Sequence, residues 1–495
     1  MRKHPLVYEI NTWVWLNDLS SRYNKPITLA SIPDEVIDEL AGWGMDAIWT
    51  MGVWERSPRG REIALAHPDL QGDYNTALPG WKPQDVIGSP YAVHRYEVDA
   101  VLGGTDGLAK FRAQLRARQI GLILDYVPNH VAVDHPWTLE HPDFFINGTD
   151  ADLANIPGAF FRASNGIHSG AVIANGRDPY FPAWTDTAQV NAFSPAFRSH
   201  MVTALLNIAQ QCDGIRCDMA MLMVTRIFAQ TWGTRAGKAP DTEFWQEVIP
   251  AVKKRAPNFL FMAEVYWDME DELQRYGFDY TYDKRLYDRL RHEPPHAVRD
   301  HLLASLDYQS AMVRFVENHD ESRAVTAFGV EGSLAGAVIS AALPGMKLFH
   351  EGQFEGRRIK LPVQLGTRPA EPVNMQLRDF YKRLLTELQK PPYHEGAFMQ
   401  LAANPILGED NSHEQILAFA WALDKSWRIV AVNMVNTPVK GRLMIPNPAW
   451  RGTSPWRFED VLTPGVVHLI PGDQVLSIGL ALELAPHQAC IFAVR

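Results

Sequence analysis

Four short polar motifs, each directly after an apolar segment, constrain the fold of this chain more than any other feature of its sequence. In chain order the motifs are DYVPNH (125–130), GIRCD (214–218), AEVYW (263–267) and ENHD (317–320). The apolar segments before them have the length and composition of buried strands. Charged side chains are costly to keep inside a core. Acidic residues at the ends of buried strands therefore predict a chemical site at the open end of a barrel of parallel strands.

The four motifs resemble those of glycoside hydrolase family 13, the α-amylase family. The family pattern is Asp-x-Val-x-Asn-His, then Gly-x-Arg-x-Asp, then a glutamate at a strand end, then Asn-His-Asp. Residues 125–130 and 214–218 fit the first two completely, and Glu264 and the segment 318–320 supply the others in the same order. The resemblance spans about residues 7–390. It implies a catalytic (β/α)8 TIM barrel that acts on α-glucosidic bonds.

Length, charge and cysteine content are compatible with this resemblance and argue against some other classes of protein. The 495 residues exceed the ~250 that such a barrel needs, so further modules are expected. The net charge of −10 argues against a nucleic-acid or anionic-membrane partner. Three cysteines give no disulfide framework, and no apolar stretch of ~18 residues occurs. We predict a soluble cytoplasmic protein with an α-glucoside oligosaccharide as its partner, and its oligomeric state stays open.

Strand and helix patterns alternate along most of the chain, which predicts an α/β barrel in residues 1–130 and 196–390. Residues 131–195 lose this alternation and are rich in Gly, Pro, Asn and aromatic residues, which indicates an ordered insertion. In the family, a small domain B leaves the barrel at this point, after strand 3. Alternating segments beyond the prolines at 391 and 392 predict an all-β module over 391–495, where the family has a C-terminal β-sandwich domain. The predicted barrel strands are 7–15, 47–51, 121–126, one ending at Cys217, one ending at Ala263, 278–282, 312–316 and 346–350.

Two of the motif carboxylates fit the roles that retaining glycoside hydrolysis requires, a nucleophile and a carboxylic acid ~5–5.5 Å apart. The resemblance assigns the first role to Asp218 and the second to Glu264, which must hold a proton near neutral pH and later act as general base. Arg216 shares a strand face with Asp218, so its guanidinium is expected to keep that carboxylate ionised. Asp125 is expected to support Arg216 rather than to touch the substrate. A buried Arg216–Asp218 pair with no other role would leave the remaining motifs unexplained.

The other site residues follow from the resemblance. In the family, the residue matched by Asp320 completes the acidic trio and binds the 2- and 3-hydroxyls of the sugar in subsite −1. His130 and His319 are expected to hydrogen-bond the same glucose. Arg323 matches a position that often assists Asp320, and Tyr91 resembles the tyrosine that stacks under this sugar. Four further residues lie where the family carries a fifth motif, and either substrate contact or loop packing would explain them: Trp184, Asp186, Gln189 and Asn191.

The sequence departs from typical α-amylases where the family binds calcium and glucan. A Lys-His pair usually follows the nucleophile by three and four residues, and here those positions are Met221 and Leu222. Asn129 matches a calcium ligand of the family, but Ca²⁺ prefers 6–8 oxygen ligands. We therefore predict no metal site and no required cofactor, with a structural calcium supported by Asn129 alone. Catalysis is better supported than polymeric starch as the substrate.

Three interpretations remain open from the sequence. The first is a retaining α-glucosidase or α-amylase-type hydrolase of malto-oligosaccharides or related α-glucans, with a covalent glycosyl–Asp218 intermediate. The second is an α-glucan transglycosylase on the same scaffold, either a glucosyl- or maltosyl-transferase or a trehalose-linked isomerase. The third is a non-catalytic carbohydrate-binding or partner module. The third is disfavoured because the chain keeps Asp218, Glu264 and Asp320 and shows no membrane anchor. Linkage and chain-length preference stay open.

Overall fold

Eight parallel strands form a closed barrel in the computed structural model, which describes residues 1–164, 169–406, 411–446 and 454–494. The barrel strands are β1 Leu6–Asn11, β2 Ala47–Met51, β3 Gly121–Tyr126, β4 Gly214–Cys217, β5 Leu260–Ala263, β6 Tyr280–Tyr282, β7 Met312–Arg314 and β8 Met346–His350. Each strand pairs with the next along the chain, and β8 pairs with β1 to close the sheet. The predicted α/β barrel is confirmed.

Burial on both faces explains why the barrel strands are apolar up to the motifs. Residues 122–126 of β3 are all buried, and the first charged residue of that strand, Asp125, comes near its end. The strand register places the motifs at the same level along the barrel axis, because Arg216 on β4 pairs with Asp125 on β3 and with Met262 on β5. The polar residues that follow β4 and β5 therefore meet at the same carboxyl end of the barrel.

Helices follow most barrel strands and cover the outside of the barrel. In the barrel part of the chain the α-helices are Thr12–Tyr23, Asp34–Gly42, Pro58–Ala66, Pro68–Ala77, Gly104–Arg116, Pro195–Gln211, Thr225–Trp232, Phe244–Lys253, Glu270–Arg275, Lys284–His292, Pro295–His301, Leu306–Ser310, Ala324–Ala327, Gly329–Ala342, Met375–Leu388 and Pro392–Glu395. None of the helices in the described ranges is long and apolar enough to cross a membrane.

The first predicted strand was too long. It was expected to run from residue 7 to 15, but β1 ends at Asn11 and the helix Thr12–Tyr23 begins directly after it. The buried residues Trp15, Leu16 and Leu19 recur at helical spacing, a pattern that outweighs the alternation at the start of the segment. Strand β7 also ends two residues before the predicted 316.

The segment between β3 and the helix Pro195–Gln211 consists of short elements. Strand His130–Ala132 pairs with Thr187–Gln189, and Phe160–Ser164 pairs with Ser169–Ala174, both antiparallel. Two short helices, Trp137–Glu140 and Asp150–Asn155, complete the segment. A further hairpin, Trp54–Arg56 with Val93–Val98, extends the loop after β2. The boundaries at 131 and 195 stay predictions.

Beyond the helix Pro392–Glu395, the described residues of the C-terminal part form β-strands, one α-helix, Gly472–Ile478, and one 3-10 turn, Ser412–Gln415. A six-stranded sheet and a three-stranded sheet enclose a shared apolar cluster. The strands of the first sheet are Ala397–Gln400, Ile416–Leu423, Ser426–Asn433, Pro455–Asp460, Val467–Pro471 and Ala489–Val494, and those of the second are Ala402–Asn404, Val439–Met444 and Leu480–Leu484. The predicted C-terminal β-module is confirmed, and its boundary at 391 stays a prediction.

Candidate active site

Arg216 lies at the centre of the carboxyl end of the barrel and joins the two predicted catalytic carboxylates. Its Nη1 donates to Oδ1 of Asp218 at 2.7 Å, and its Nη2 lies 2.9 Å from Oε2 of Glu264. All three side chains are buried. The arrangement follows from strand geometry, because Arg216 and Asp218 are alternate residues on β4 and Glu264 comes directly after β5.

Both oxygens of the Glu264 carboxylate accept hydrogen bonds. Tyr266 donates its hydroxyl hydrogen to Oε1 at 2.7 Å, and the backbone N–H of Met219 donates to Oε2 at 2.6 Å. Met219 reaches this position because it adopts a left-handed conformation, with φ of 41°, directly after Asp218. A tyrosine hydroxyl can also accept a hydrogen bond, so Tyr266 can adapt when Glu264 carries a proton on Oε1.

The groups around Asp218 shift its pKa in opposite directions. Burial raises the pKa of Asp218, Arg216 opposes this shift, and the carboxylate of Glu264 adds to it. The two carboxylates contact different nitrogens of the one guanidinium, so a single buried cation compensates for both.

Asp125, on β3, lies beside Arg216. Its Oδ1 lies 3.9 Å from Nη1 of Arg216 and accepts a hydrogen bond from the Trp49 indole at 3.2 Å, while Oδ2 accepts from the N–H of Gly52 at 3.0 Å. Burial raises the pKa of Asp125 to about 6. The side chain is almost fully buried, and its supporting role stays a prediction.

Asp320, His319 and Tyr91 form the other side of the site. Nε2 of His319 lies 2.9 Å from Oδ2 of Asp320 and 2.6 Å from the Tyr91 hydroxyl. The Asp320 side chain is 45% exposed, whereas His319 is buried. The Tyr91 ring stacks on His319 and also lies 5.2 Å from the guanidinium carbon of Arg216. The structure therefore brings these three predicted residues to the same place as Asp218 and Glu264.

His130 lines the site from the short strand that begins the insertion. It forms a hydrogen bond with the backbone of Tyr91, and its ring lies 5.1 Å from that of Trp184. Burial lowers the pKa of His130 to about 4, so the ring is neutral near pH 7. A neutral histidine can donate one hydrogen bond to a sugar hydroxyl.

Arg323 lies apart from the residue that it was expected to assist. Its Nη1 donates to Oε1 of Glu317 at 2.6 Å and contacts the ring of His350 and the carbonyl of Glu351. Within the described part of the chain it forms no hydrogen bond or ion pair with Asp320. The reason is local: Glu317, the first residue of the ENHD motif, is a buried carboxylate that needs a cation.

Asn129 and Gln189 hold each other through their side-chain amides. Nε2 of Gln189 donates to Oδ1 of Asn129 at 2.9 Å, and Nδ2 of Asn129 donates to Oε1 of Gln189 at 3.2 Å. Both side chains are buried. The oxygen that would bind calcium already accepts a hydrogen bond. The described residues also contain no group of three or more His, Cys, Asp or Glu side chains suited to a metal ion.

Sequence reasoning missed three residues of the site: Glu9, Tyr266 and Lys360. Glu9 contacts His319, and Lys360 donates to the backbone carbonyl of Asp320. A signal existed for Glu9, since a carboxylate in the apolar strand LVYEIN is unusual. Lys360 lies on the long loop after β8, and its position depends on how that loop folds back over the barrel.

A cavity of about 500 Å³ lies at the opposite end of the barrel, between Asp46, Arg112 and Asp213. It contains none of the motif carboxylates. Active sites of such barrels lie at the carboxyl ends of the strands, so the motif cluster is the candidate active site.

The closed barrel and its acidic centre define the class of this protein: the chain belongs to the α-amylase family of glycoside hydrolases. A family model described as the alpha-amylase catalytic domain matches residues 35–357. The curated alpha-amylase MalA of Haloarcula japonica is 24% identical over 410 residues, which are 81% of this chain and 52% of that protein. The chain spans about half the length of MalA and of alpha-amylase 3 from Dictyoglomus thermophilum.

Two solved structures show the same fold. AmyB, a maltogenic α-amylase from Thermotoga neapolitana, superposes with a TM-score of 0.68 at 17% identity, covering 99% of this chain and 98% of the other. An α-amylase from Geobacillus thermoleovorans, solved in complex with acarbose, superposes with a TM-score of 0.66 at 16% identity, covering 100% and 99%.

Proposed function

We propose that this protein is a retaining hydrolase of α-glucosidic bonds in malto-oligosaccharides or related α-glucans. The observation that carries the proposal is the single guanidinium of Arg216 in contact with both Asp218 and Glu264, with Asp320 beside them. This contact limits the distance between the two carboxylates and fits a nucleophile and an acid that act on one bond.

In the proposed first step, Oε1 of Glu264 donates its proton to the glycosidic oxygen as the bond from that oxygen to C1 breaks. Asp218 attacks C1 from the opposite face and forms a glucosyl ester, and the leaving sugar departs with the proton. In the second step, Glu264 takes a proton from water, whose oxygen attacks C1 and releases Asp218 as a carboxylate. Two inversions give net retention. No cofactor enters either step.

Asp320 would stabilise the positive charge that develops on the sugar ring in the transition state. The positive charge of His319, together with its hydrogen bond to Asp320, outweighs desolvation and holds the pKa of Asp320 well below its usual range. Asp320 therefore stays ionised in the neutral range. An exposed carboxylate at this position is suited to accept hydrogen bonds from sugar hydroxyls and to face an oxocarbenium-like transition state.

A chromatographic product profile tests this proposal. The purified protein and its Asp218→Asn variant would be incubated with maltose, maltotriose, isomaltose, trehalose, sucrose and soluble starch. We expect shorter sugars from at least one substrate with the wild type and none with the variant. A variant with near wild-type turnover would remove Asp218 from its role.

One observation favours the transglycosylase alternative. The exposed residues Tyr180 and Trp267 pack edge to face with ring centroids 5.0 Å apart, and Trp267 follows Glu264 by three positions. Exposed aromatic rings bind the apolar faces of sugars, so this pair could hold an acceptor sugar in place of water. Longer or rearranged products in the same profile would support transfer. A cytoplasmic location stays a prediction.

A further inference from the structure

Glu9 is a buried carboxylate in the middle of β1 for which the mechanism above has no role. It is fully buried, and Oε1 lies 2.5 Å from Nδ1 of His319. Oε2 has no hydrogen-bond partner among the residues that the structure describes. Removing a carboxylate from water costs several kcal/mol unless a charge or hydrogen bonds compensate for it. Glu9 therefore needs a positively charged partner, and His319 is the group within contact.

Carboxylates contact both ring nitrogens of His319. Glu9 lies at Nδ1, and Asp320 lies at Nε2 at 2.9 Å, with the Tyr91 hydroxyl also near Nε2. An ionised carboxylate only accepts hydrogen bonds. Both contacts can be hydrogen bonds only if each ring nitrogen carries a hydrogen. The Tyr91 hydroxyl can donate to Nε2 or accept from it, so the two flanking carboxylates are what favour the imidazolium form of His319.

Other charged groups around this cluster also act on Glu9 and His319. Arg216 from β4 and His350 from β8 act on Glu9 and favour its ionised form. Asp125 from β3 also interacts with the His319 charge. Although burial disfavours a charged ring, Asp320 and Glu9 raise the pKa of His319 to about 10. His319 in turn lowers the pKa of Glu9 against the effect of burial.

We propose that Glu9 is a positioning residue for the sugar in subsite −1, because its carboxylate orients the ring of His319 and keeps both ring nitrogens protonated. The Nε2–H group then always faces Asp320 and the sugar hydroxyls beside it. Without Glu9 the ring could turn, and it would lose its proton at a lower pH than in the wild type, because Asp320 would be the carboxylate left to raise its pKa. This role in substrate binding rests on the proposed function, whereas the state of the His319 ring does not.

An NMR titration of histidine rings tests the state of His319 directly. The full-length protein would be labelled at its histidine ring carbons and titrated from pH 6 to 10, as wild type and as Glu9→Gln. The chain has 17 histidines, so loss of one signal in His319→Gln assigns the ring. Tyr8→Phe is the matched control, because Tyr8 is also on β1 but packs outward on Phe354 and Trp43.

We expect wild-type His319 to stay protonated through pH 8 and Glu9→Gln to lower its titration midpoint by at least about one pH unit, the size of shift that one neighbouring charge produces. Tyr8→Phe should leave the midpoint unchanged. A wild-type ring that titrates near pH 6.5 would overturn the proposal, as would an unchanged midpoint in Glu9→Gln. If Glu9→Gln does not fold, the wild-type titration still tests whether His319 is protonated through pH 8. Glu9→Asp, which keeps the charge on a shorter side chain, then tests whether the midpoint of His319 depends on the carboxylate at position 9.

Kinetics separate positioning from simple structural support. By analogy with the outer partners of metal-binding histidines, Glu9→Gln should lower kcat/KM on the best α-glucoside about 10- to 100-fold. In a His319→Gln background the same change should have less than about a twofold effect. Equal losses in both backgrounds would overturn the proposal. If no α-glucoside is turned over by the wild type, the proposed function fails while the titration still tests Glu9.

Discussion

Arg216 governs the site at the scale of single residues because two carboxylates depend on one guanidinium. Asp218 and Glu264 contact different nitrogens of the same group, and all three are buried. A charge on Glu264 therefore raises the pKa of Asp218, whereas the shared guanidinium lowers it.

Asp320→Asn should move the acid limb of the pH profile to lower pH. Burial, Glu264 and Asp320 raise the pKa of Asp218, and Arg216 opposes them. Asp320 stays ionised in the neutral range, so the substitution removes a like charge, the pKa of Asp218 falls, and the nucleophile stays ionised at more acidic pH. The measurement is kcat/KM against pH with an α-glucosyl fluoride, which needs little acid catalysis. An acid limb that stays in place or moves to higher pH would contradict the assignment.

Glu264→Gln should distinguish substrates by their leaving groups. Loss of the acid should cost about 10²–10⁴-fold on natural glucosides, where the leaving oxygen needs a proton. It should cost much less on aryl or fluoride glucosides. Steady-state rates on maltotriose and on an activated glucoside provide the comparison, with Gln84→Leu on the exposed surface as the control. Equal losses on both substrates would remove Glu264 from the role of general acid.

The sequence predicts the residues of this centre better than it predicts their partners. The motifs locate Arg216 and the carboxylates because their spacing along strands is regular. The contact between Glu9 and His319 joins residues 310 positions apart, and one sequence carries no information on such pairs. The pairing of Arg323 with Glu317 rather than with Asp320 of the same motif could not be predicted either, since position along the chain does not give direction in space.

At the scale of elements, an amide pair connects the insertion to the barrel. Asn129 follows β3, and Gln189 ends the strand Thr187–Gln189. Nε2 of Gln189 also donates to the carbonyls of Asn129 and Val190. The pair thus fixes the position of His130, which lies between the two elements and lines the site.

Gln189→Leu should destabilise the protein by about 1–3 kcal/mol, because it leaves the buried Oδ1 of Asn129 without its hydrogen-bond donor. The free energy of unfolding from a urea titration measures the loss, and the exposed Gln84→Leu variant serves as the control.

Because Oδ1 of Asn129 already accepts a hydrogen bond from Gln189, we also expect EDTA to leave the wild-type melting temperature unchanged. A melting temperature that EDTA lowers and Ca²⁺ restores would contradict this account.

Element boundaries were predictable where turn residues flank an apolar strand. The predicted bounds 47–51, 121–126 and 346–350 coincide with β2, β3 and β8. The end of β1 was missed because its apolar residues continue into the first turn of the next helix, where strand and helix patterns overlap.

At the scale of the whole molecule, the β-module packs against the barrel through Trp421. This residue is fully buried, and its indole donates to the carbonyl of Ala342, at the end of a barrel helix, at 2.6 Å. Its ring also lies 5.3 Å from that of His4, beside the start of β1. Parts of the chain far apart in sequence therefore share one core, a contact that composition alone could not predict.

Trp421→Ala should destabilise both parts together, by about 3–5 kcal/mol, because it opens a cavity in this shared core. Thermal unfolding followed by circular dichroism and by residual activity should give one transition at a lowered temperature. Leu469→Ala, at an exposed position of the same module, is the control. Two separate transitions, with activity lost at the wild-type temperature, would contradict a shared core.

The central claim is that Asp218 forms a covalent bond to the sugar, and one trapping measurement tests it most directly. The Glu264→Gln variant would be mixed with an α-glucosyl fluoride, quenched, digested and mapped by mass spectrometry. The account predicts a glucosyl ester on Asp218, because the fluoride leaves without an acid while no base remains to activate water. Turnover that yields the β-anomer with no adduct, or an adduct on another carboxylate, would contradict it.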